Sequence, residues 1–410
     1  MKLNILKAPT FLLLGTMSSA SFGAGFAIIE QSVTGLGRAF AGSAASAEDA
    51  STIYFNPAGL MYLKQAEMDL AINYIAPNSE FNNDGTSSPS NGGEGGDAAK
   101  NAVVPNFYYA KPLNDKVAIG FGITAPFGLV TEYNEKWVGR YFAVKSDLKT
   151  INFNPSIAYK PTDKLSIGFG VSAEYIDLTL VQMTNLGTSD GKVKLEADDW
   201  GYGYNLGMMY QATPDTRLAL AYRSKISHTL KGDGTLTAVN GSVLADENIH
   251  GDVDLPETIS LAIHHQINSK WSVLADATMT RWSRFQELAI ESDGGTFTST
   301  KPEDWENSMR YGLGVNYRYN DKWQFRSGIA YDETAVPGIK RRTARIPDID
   351  RKWIAIGATY NYSDNLIIDA GYAHLFANNP SIKESDGTNS LNGDYDVSVD
   401  LLGVQLRWLM

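Results

Sequence analysis

The sequence predicts an all-β fold, a 14-stranded antiparallel transmembrane β-barrel whose lumen is plugged by an N-terminal hatch of short helices. Three observations predict it. Strand-length segments place apolar residues on one face and small or polar residues on the other; their connections alternate between tight turns and long polar loops; and residues 24–65, apolar but weakly alternating, precede the first strand.

The N-terminus carries Lys2 and Lys7, then the apolar run Phe11, Leu12, Leu13 and Leu14, then small residues as far as Ser21-Phe22-Gly23. This order reads as a secretory signal peptide cleaved after Gly23. The run is too short to span a bilayer as a helix, and no other stretch approaches the roughly eighteen apolar residues such a helix needs. Cleavage removes two lysines and no acid, so the net charge moves from −11 to −13. An acidic surface of this kind excludes nucleic acid as a partner. The chain has no cysteine, which removes disulfides, thiolate metal sites and a cysteine nucleophile.

Strand faces follow. Between Leu165 and Tyr175, the residues Leu165, Ile167, Phe169, Val171, Ala173 and Tyr175 oppose Ser166, Gly168, Gly170, Ser172 and Glu174. Tyr311, Leu313, Val315, Tyr317 and Tyr319 oppose Gly312, Gly314, Asn316 and Arg318 in the same way. A strand with lipid on one side and a lumen on the other requires this alternation, with aromatic rings at the two interfaces. A soluble sandwich also alternates, so the count and the connections decide between the two.

Strands are expected near 66–76, 102–111, 116–131, 148–160, 164–182, 198–211, 215–231, 251–267, 270–288, 305–319, 322–332, 350–362, 365–376 and 395–409. Tight turns such as Pro161-Thr162-Asp163, Asn268-Ser269 and Asn320-Asp321 alternate with polar loops at 77–101, 132–147, 183–197, 232–250, 289–304, 333–349 and 377–394. Turns on one rim and loops on the other are the layout of an outer-membrane barrel. The wall must close, because an open edge in hydrocarbon leaves backbone groups unpaired. The last strand presents Leu402, Val404, Leu406, Trp408 and Met410 on one face. That face is similar to the C-terminal signal read by the barrel-insertion machinery, although Trp408 stands two places before the end.

Residues 24–65 hold Gly35-Leu36-Gly37-Arg38-Ala39, an Ala/Ser-rich stretch, Asp49-Ala50 and Asn56-Pro57-Ala58-Gly59. Short helices broken by glycine are expected, folded back into the lumen; the alternative, a disordered periplasmic extension, sits poorly with the apolar content. A general diffusion porin would lack such a segment. An outer-membrane hydrolase would need a histidine beside a serine or an acid. Among five histidines, His264 and His265 are adjacent in a strand and point to opposite faces, and no His-Glu-x-x-His spacing occurs. Neither enzyme activity, a cofactor nor a metal is expected.

In these motifs, together with Tyr222-Arg223-Ser224, Leu255-Pro256-Glu257, Trp282-Ser283-Arg284-Phe285 and Ile346-Pro347-Asp348-Ile349-Asp350-Arg351, the chain resembles the FadL family of outer-membrane transporters for long-chain fatty acids and other hydrophobic compounds. The resemblance implies a monomeric barrel in the bacterial outer membrane with the hatch motif at Asn56, Pro57 and Ala58. Its ligand would be a long-chain fatty acid or similar hydrophobic molecule, bound in the lumen and released sideways to outer-membrane lipid through an inward kink of the third strand. Pro126, Phe127 and Gly128 are the expected kink, since proline removes a ladder donor and glycine tolerates a bend. Lys301 and Arg223 are the expected ligand-binding residues, with Lys301 in register with the family's carboxylate-binding lysine. The partner arginine implied late in the fifth strand is missing, for that region reads Leu178-Thr179-Leu180-Val181-Gln182. Uptake of monoaromatic hydrocarbons, which need no carboxylate partner, is the alternative. Glu174, Arg217, Asp276, Arg310, Arg318 and Arg326 are expected to be structural lumen charges. Arg345, Asp348, Asp350 and Arg351 are expected to form a loop-anchoring network.

Overall fold

The computed structural model of the chain describes residues 25–410, so the signal-peptide reading of residues 1–23 lies outside it. Among the described residues, twenty strand segments build a wall of fourteen strands. They are β1 (Glu67–Asn83), β2 (Ala102–Asn114), β3 (Val117–Thr124) continued by β4 (Gly128–Glu132), β5 (Lys145–Thr162), β6 (Leu165–Asn185) and β7 (Asp190–Thr213). Next come β8 (Thr216–Arg223) continued by β9 (Ile226–Ala238), then β10 (Val243–Leu255) continued by β11 (Thr258–Gln266), and β12 (Trp271–Thr280). The short pair β13 (Glu287–Ser292) and β14 (Ser299–Pro302) precedes β15 (Ser308–Arg318), β16 (Trp323–Asp332) and β17 (Arg351–Asn361). β18 (Leu366–Ala377) with its extension β19 (Ser381–Ser385), and β20 (Ser390–Leu409), complete the wall.

Every wall strand pairs antiparallel with its neighbour, and β20 pairs with β1 from Leu409↔Glu67 to Gly393↔Asn83, closing the ring. Closure leaves no free edge. The burial pattern is that of a wall bathed in lipid. Ile167, Phe169, Val171, Leu313, Leu402, Val404 and Trp408 are exposed, while Ser166, Ser172, Glu174 and Asn316 are buried toward the lumen.

Strand ends change on the loop side, where β1 runs on to Asn83, β20 begins at Ser390, and β13, β14 and β19 lie wholly or mostly within expected loops. The loops expected at 183–197 and 232–250 are mostly strand, with β6 and β7 paired out to Asn185↔Asp190 and β9 and β10 paired out to Val243↔Thr237. Sequence alternation marks where a strand leaves lipid, whereas backbone pairing continues into water without an apolar face. Conversely, strands expected to run unbroken over 215–231, 251–267 and 270–288 are interrupted at Ser224-Lys225, at Pro256-Glu257 and by a 3-10 turn at Trp282–Arg284.

Before β1, the chain forms α1 (Val33–Leu36), α2 (Ser43–Ser46), α3 (Thr52–Phe55) and a 3-10 turn at Pro57–Tyr62. Helices this short are not stable alone. The wall holds them: α1 packs on β17, β18 and β20, α2 on β8, β11 and β12, and α3 on β3 and β5. Contacts with opposite walls put the segment within the lumen. Asn56 ties it down, its Oδ1 accepting from Ala58 N at 3.1 Å and its Nδ2 donating to Ala44 O at 2.9 Å and Met208 O at 3.3 Å. Pro57 stands at the first position of the turn, where its missing N–H costs nothing. Gly168 and Gly207 lie directly against Ala58 and Asn56, at an approach that a Cβ would block.

Candidate functional site

Most expected lumen charges serve this docking. Arg326 and Arg38 converge on Glu48 at 2.9 and 3.3 Å, Arg217 donates to Ala45 O and Ser46 O at 2.9 Å each, and Asp276 accepts from Gly42 N at 2.8 Å. Asn152 Nδ2 holds Glu174 at 2.9 Å. Buried charges need such partners, since an unpaired ion in the interior is strongly disfavoured. Arg318 differs, being exposed.

The third wall strand breaks where the proline and glycine stand: β3 ends at Thr124 and β4 begins at Gly128. The N-terminal segment replaces the lost ladder. Ile28 N donates to Pro126 O at 2.8 Å, Gly128 N donates to Phe26 O at 3.0 Å, and Ala27 bridges Phe127. From the other side, Thr150 Oγ1 accepts from Phe127 N at 3.0 Å.

An apolar track descends toward this break. Leu195, Leu230, Ile249 and Ile290 line an outer groove that shares Leu178, Leu180, Val253 and Leu288 with a small cavity of about 50 Å³. The floor of that cavity is an aromatic cluster in which Phe26 lies 4.8 Å from Trp282, 5.8 Å from both Phe285 and Trp305, and 6.0 Å from Phe127, ring centre to ring centre. A further, inner cavity of about 120 Å³ is lined by the apolar residues Ile28, Phe40, Phe55 and Trp353 and by the charged residues Glu30, Arg223, Asp276, Arg310 and Asp332, with the Arg310 guanidinium 5.4 Å from the centre of the Trp353 ring. Phe26 lines the upper cavity, and the residues that follow it, Ala27 to Glu30, line the inner one.

The polar groups of the upper cavity are Glu303, Ser146 and Arg345. Arg345 donates to Gln182 Oε1 at 2.6 Å, to Ser146 Oγ at 3.1 Å and to Lys145 O at 3.2 Å. The fifth wall strand thus carries, at Gln182, the anchor for an arginine brought from a distant loop. Sequence spacing could not reveal this. Arg345 is also not part of the loop network expected of it, which consists of Arg351 on Asp348 at 3.0 Å and of Asp350 accepting from Tyr331 Oη at 2.7 Å and Thr334 N at 2.8 Å.

Lys301 lies in β14, paired with Glu384, with its ammonium 6.0 Å from the centre of the Phe142 ring. Burial lowers the Lys301 ammonium to about 8, opposed by Glu303, and lifts the Glu303 carboxyl to about 7, opposed by Lys301. Burial likewise lowers Arg345 to about 10. Lys301, Glu303 and Arg345 form one electrostatic group. Arg223 does not join it: it lines the inner cavity, donating to Tyr54 O at 3.0 Å with its guanidinium 4.3 Å from the centre of the Tyr54 ring.

The family model for outer membrane protein transport proteins (OMPP1/FadL/TodX) matches residues 14–409. The chain is 33% identical over 398 residues to the 47 kDa outer membrane protein of Pasteurella multocida, covering 90% of this chain and 91% of that one. It is 30% identical over 412 residues to the long-chain fatty acid transport protein of Escherichia coli K12, with 90% and 91% covered. Among solved structures, a Pseudomonas aeruginosa FadL homologue superimposes with a TM-score of 0.88 at 26% identity, over 94% of this chain and 99% of that one. The Ralstonia pickettii toluene transporter TbuX shares the fold, with a TM-score of 0.70 at 22% identity over 94% and 99% of the two chains. A closed barrel of fourteen strands, short N-terminal helices in its lumen and a family match over nearly the whole length agree: the chain belongs to the FadL/TodX family of outer-membrane transporters of hydrophobic compounds and is not an enzyme.

Proposed function

We propose that the chain imports long-chain fatty acids or similar amphiphiles, taking them from the outer groove to the upper cavity, past Phe26, and sideways through the break at Pro126-Phe127-Gly128 into the outer-membrane lipid. One observation carries this reading: an apolar track with a cationic group beside it ends at an interrupted wall strand. In the reading, residues 24–65 are the hatch, held in place by Asn56, Pro57 and Ala58. Lys301 and Arg345 hold the ligand carboxylate, since an apolar cavity does not retain an unpaired anion. Sideways release keeps the acyl chain out of water, where each exposed methylene would cost about 0.8 kcal/mol.

The inner cavity, about 120 Å³, is close to the roughly 150 Å³ that accommodates a single benzene ring. It supports the second reading, uptake of monoaromatic hydrocarbons. Oleate and toluene binding to wild type, Lys301→Ala and Arg345→Gln separates the two. Under the fatty-acid reading both variants weaken oleate at least tenfold and leave toluene unchanged. Equal oleate affinity in all three proteins would remove the carboxylate clamp and favour the second reading.

A further inference from the structure

We infer that the inner cavity is a second anion station, in which Arg310 and Arg223 receive the carboxylate of a hydrophobic acid after it leaves Lys301 and Arg345. The inference rests on the proposed transport of amphiphiles and adds a relay to it.

Arg310 is 94% buried on the inward face of β15, and it lines the cavity. Its Nη2 donates to the Ala39 carbonyl, but Nε and Nη1 have no hydrogen-bond partner. Asp276 Oδ2 lies 3.9 Å from Nη1, beyond hydrogen-bond reach. Arg223, 91% buried, spends its donors on the Tyr54 carbonyl at 3.0 Å and the Ser172 hydroxyl at 3.4 Å rather than on a carboxylate. The acids facing the same space are differently placed. Asp276 already accepts from Gly42 N at 2.8 Å and Thr278 Oγ1 at 3.3 Å, and burial lifts the Glu30 carboxyl to about 7, which lessens its negative charge beside a bound anion.

A buried guanidinium with two empty donors is disfavoured, and a carboxylate fills such donors with charge-assisted bonds. The apolar lining residues Ile28, Phe40, Phe55 and Trp353, the last with its ring centre 5.4 Å from the Arg310 guanidinium, suit the carbons next to the head group. The cavity therefore matches the polar end of an amphiphilic acid and a short length of its chain.

The test uses full-length protein in detergent, its fold checked by the heat-dependent shift of the barrel on gels. Octanoate and 1-octanol, alike in chain and different in charge, are titrated by equilibrium dialysis. Wild type should bind two octanoates. The double variant Lys301→Ala, Arg345→Gln should keep the inner site, and Arg310→Gln should keep the outer one while weakening the inner at least tenfold, with 1-octanol unaffected. Arg310→Lys, which retains the charge, should recover part of the loss. Two octanoates bound by Arg310→Gln at wild-type affinity, or equal losses for octanoate and 1-octanol, would overturn the second station while leaving the outer site standing. Wild type that binds neither probe would overturn the transport reading, and this inference with it.

Discussion

The side-chain amide of Gln31 donates to the Ala125 carbonyl at 2.8 Å and also to the Ile28 carbonyl at 2.9 Å, so one residue of the lumen segment satisfies both the interrupted wall strand and the chain that covers it. The break in the third strand is thus completed by the N-terminal segment in the lumen, and anything that displaces the segment also unpairs the wall there.

Gln31→Ala should leave the two carbonyls without this donor, each costing about 1–3 kcal/mol when buried without compensation. The expected result is a lower unfolding temperature in detergent together with faster amide exchange at residues 125–128. Unchanged exchange there would mean that Ile28 and Phe26 hold the break without Gln31.

Phe26→Ala removes the ring at the centre of the aromatic cluster that floors the upper cavity. Large-to-small changes at buried aromatic positions cost about 3–5 kcal/mol, so stability should fall while ligand passes more readily. Uptake of a fluorescent fatty acid into cells should speed up at equal expression, and a slower rate would show that the ring guides the ligand instead of blocking it.

The pH dependence follows from the outer group. Burial holds the Lys301 ammonium down to about 8, even though it is paired with Glu384, and lifts the Glu303 carboxyl to about 7. As pH rises, Glu303 first ionises and competes for Lys301, and Lys301 then loses its charge. Both changes weaken anion binding, so affinity for decanesulfonate, whose charge is constant in this range, should fall steadily from pH 6 to pH 9 while toluene binding stays flat. An affinity that rises with pH would contradict the assignment of these residues to the anion.

Gly168→Ala places a methyl group against the backbone of Pro57 and Ala58, which has no side chain that could turn away. The segment should be pushed off the wall, and single-channel recordings should show a pore that wild type does not. A closed barrel in the variant would mean that the segment shifts without leaving.

The barrel was legible because lipid imposes a local rule. A strand with hydrocarbon on one side must alternate, so Leu165 to Tyr175 and Tyr311 to Tyr319 announce their faces residue by residue. The interruption between Thr124 and Gly128 contains Pro126, a residue with conformational consequences wherever it stands. The breaks at Ser224-Lys225 and near Trp282 were not legible, because nothing in those residues forbids a strand.

Sequence alone decided the wall: its fourteen strands and its lipid face. Tertiary structure decided the interior. Gln31 meets Ala125 across 94 positions, Arg345 meets Gln182 across 163, and Gly25 N donates to Asp348 at 2.9 Å across 323. Such contacts have no period and no spacing. They arise because closing the wall brings distant residues into one lumen, where each buried donor and charge must find whatever partner the closed barrel provides.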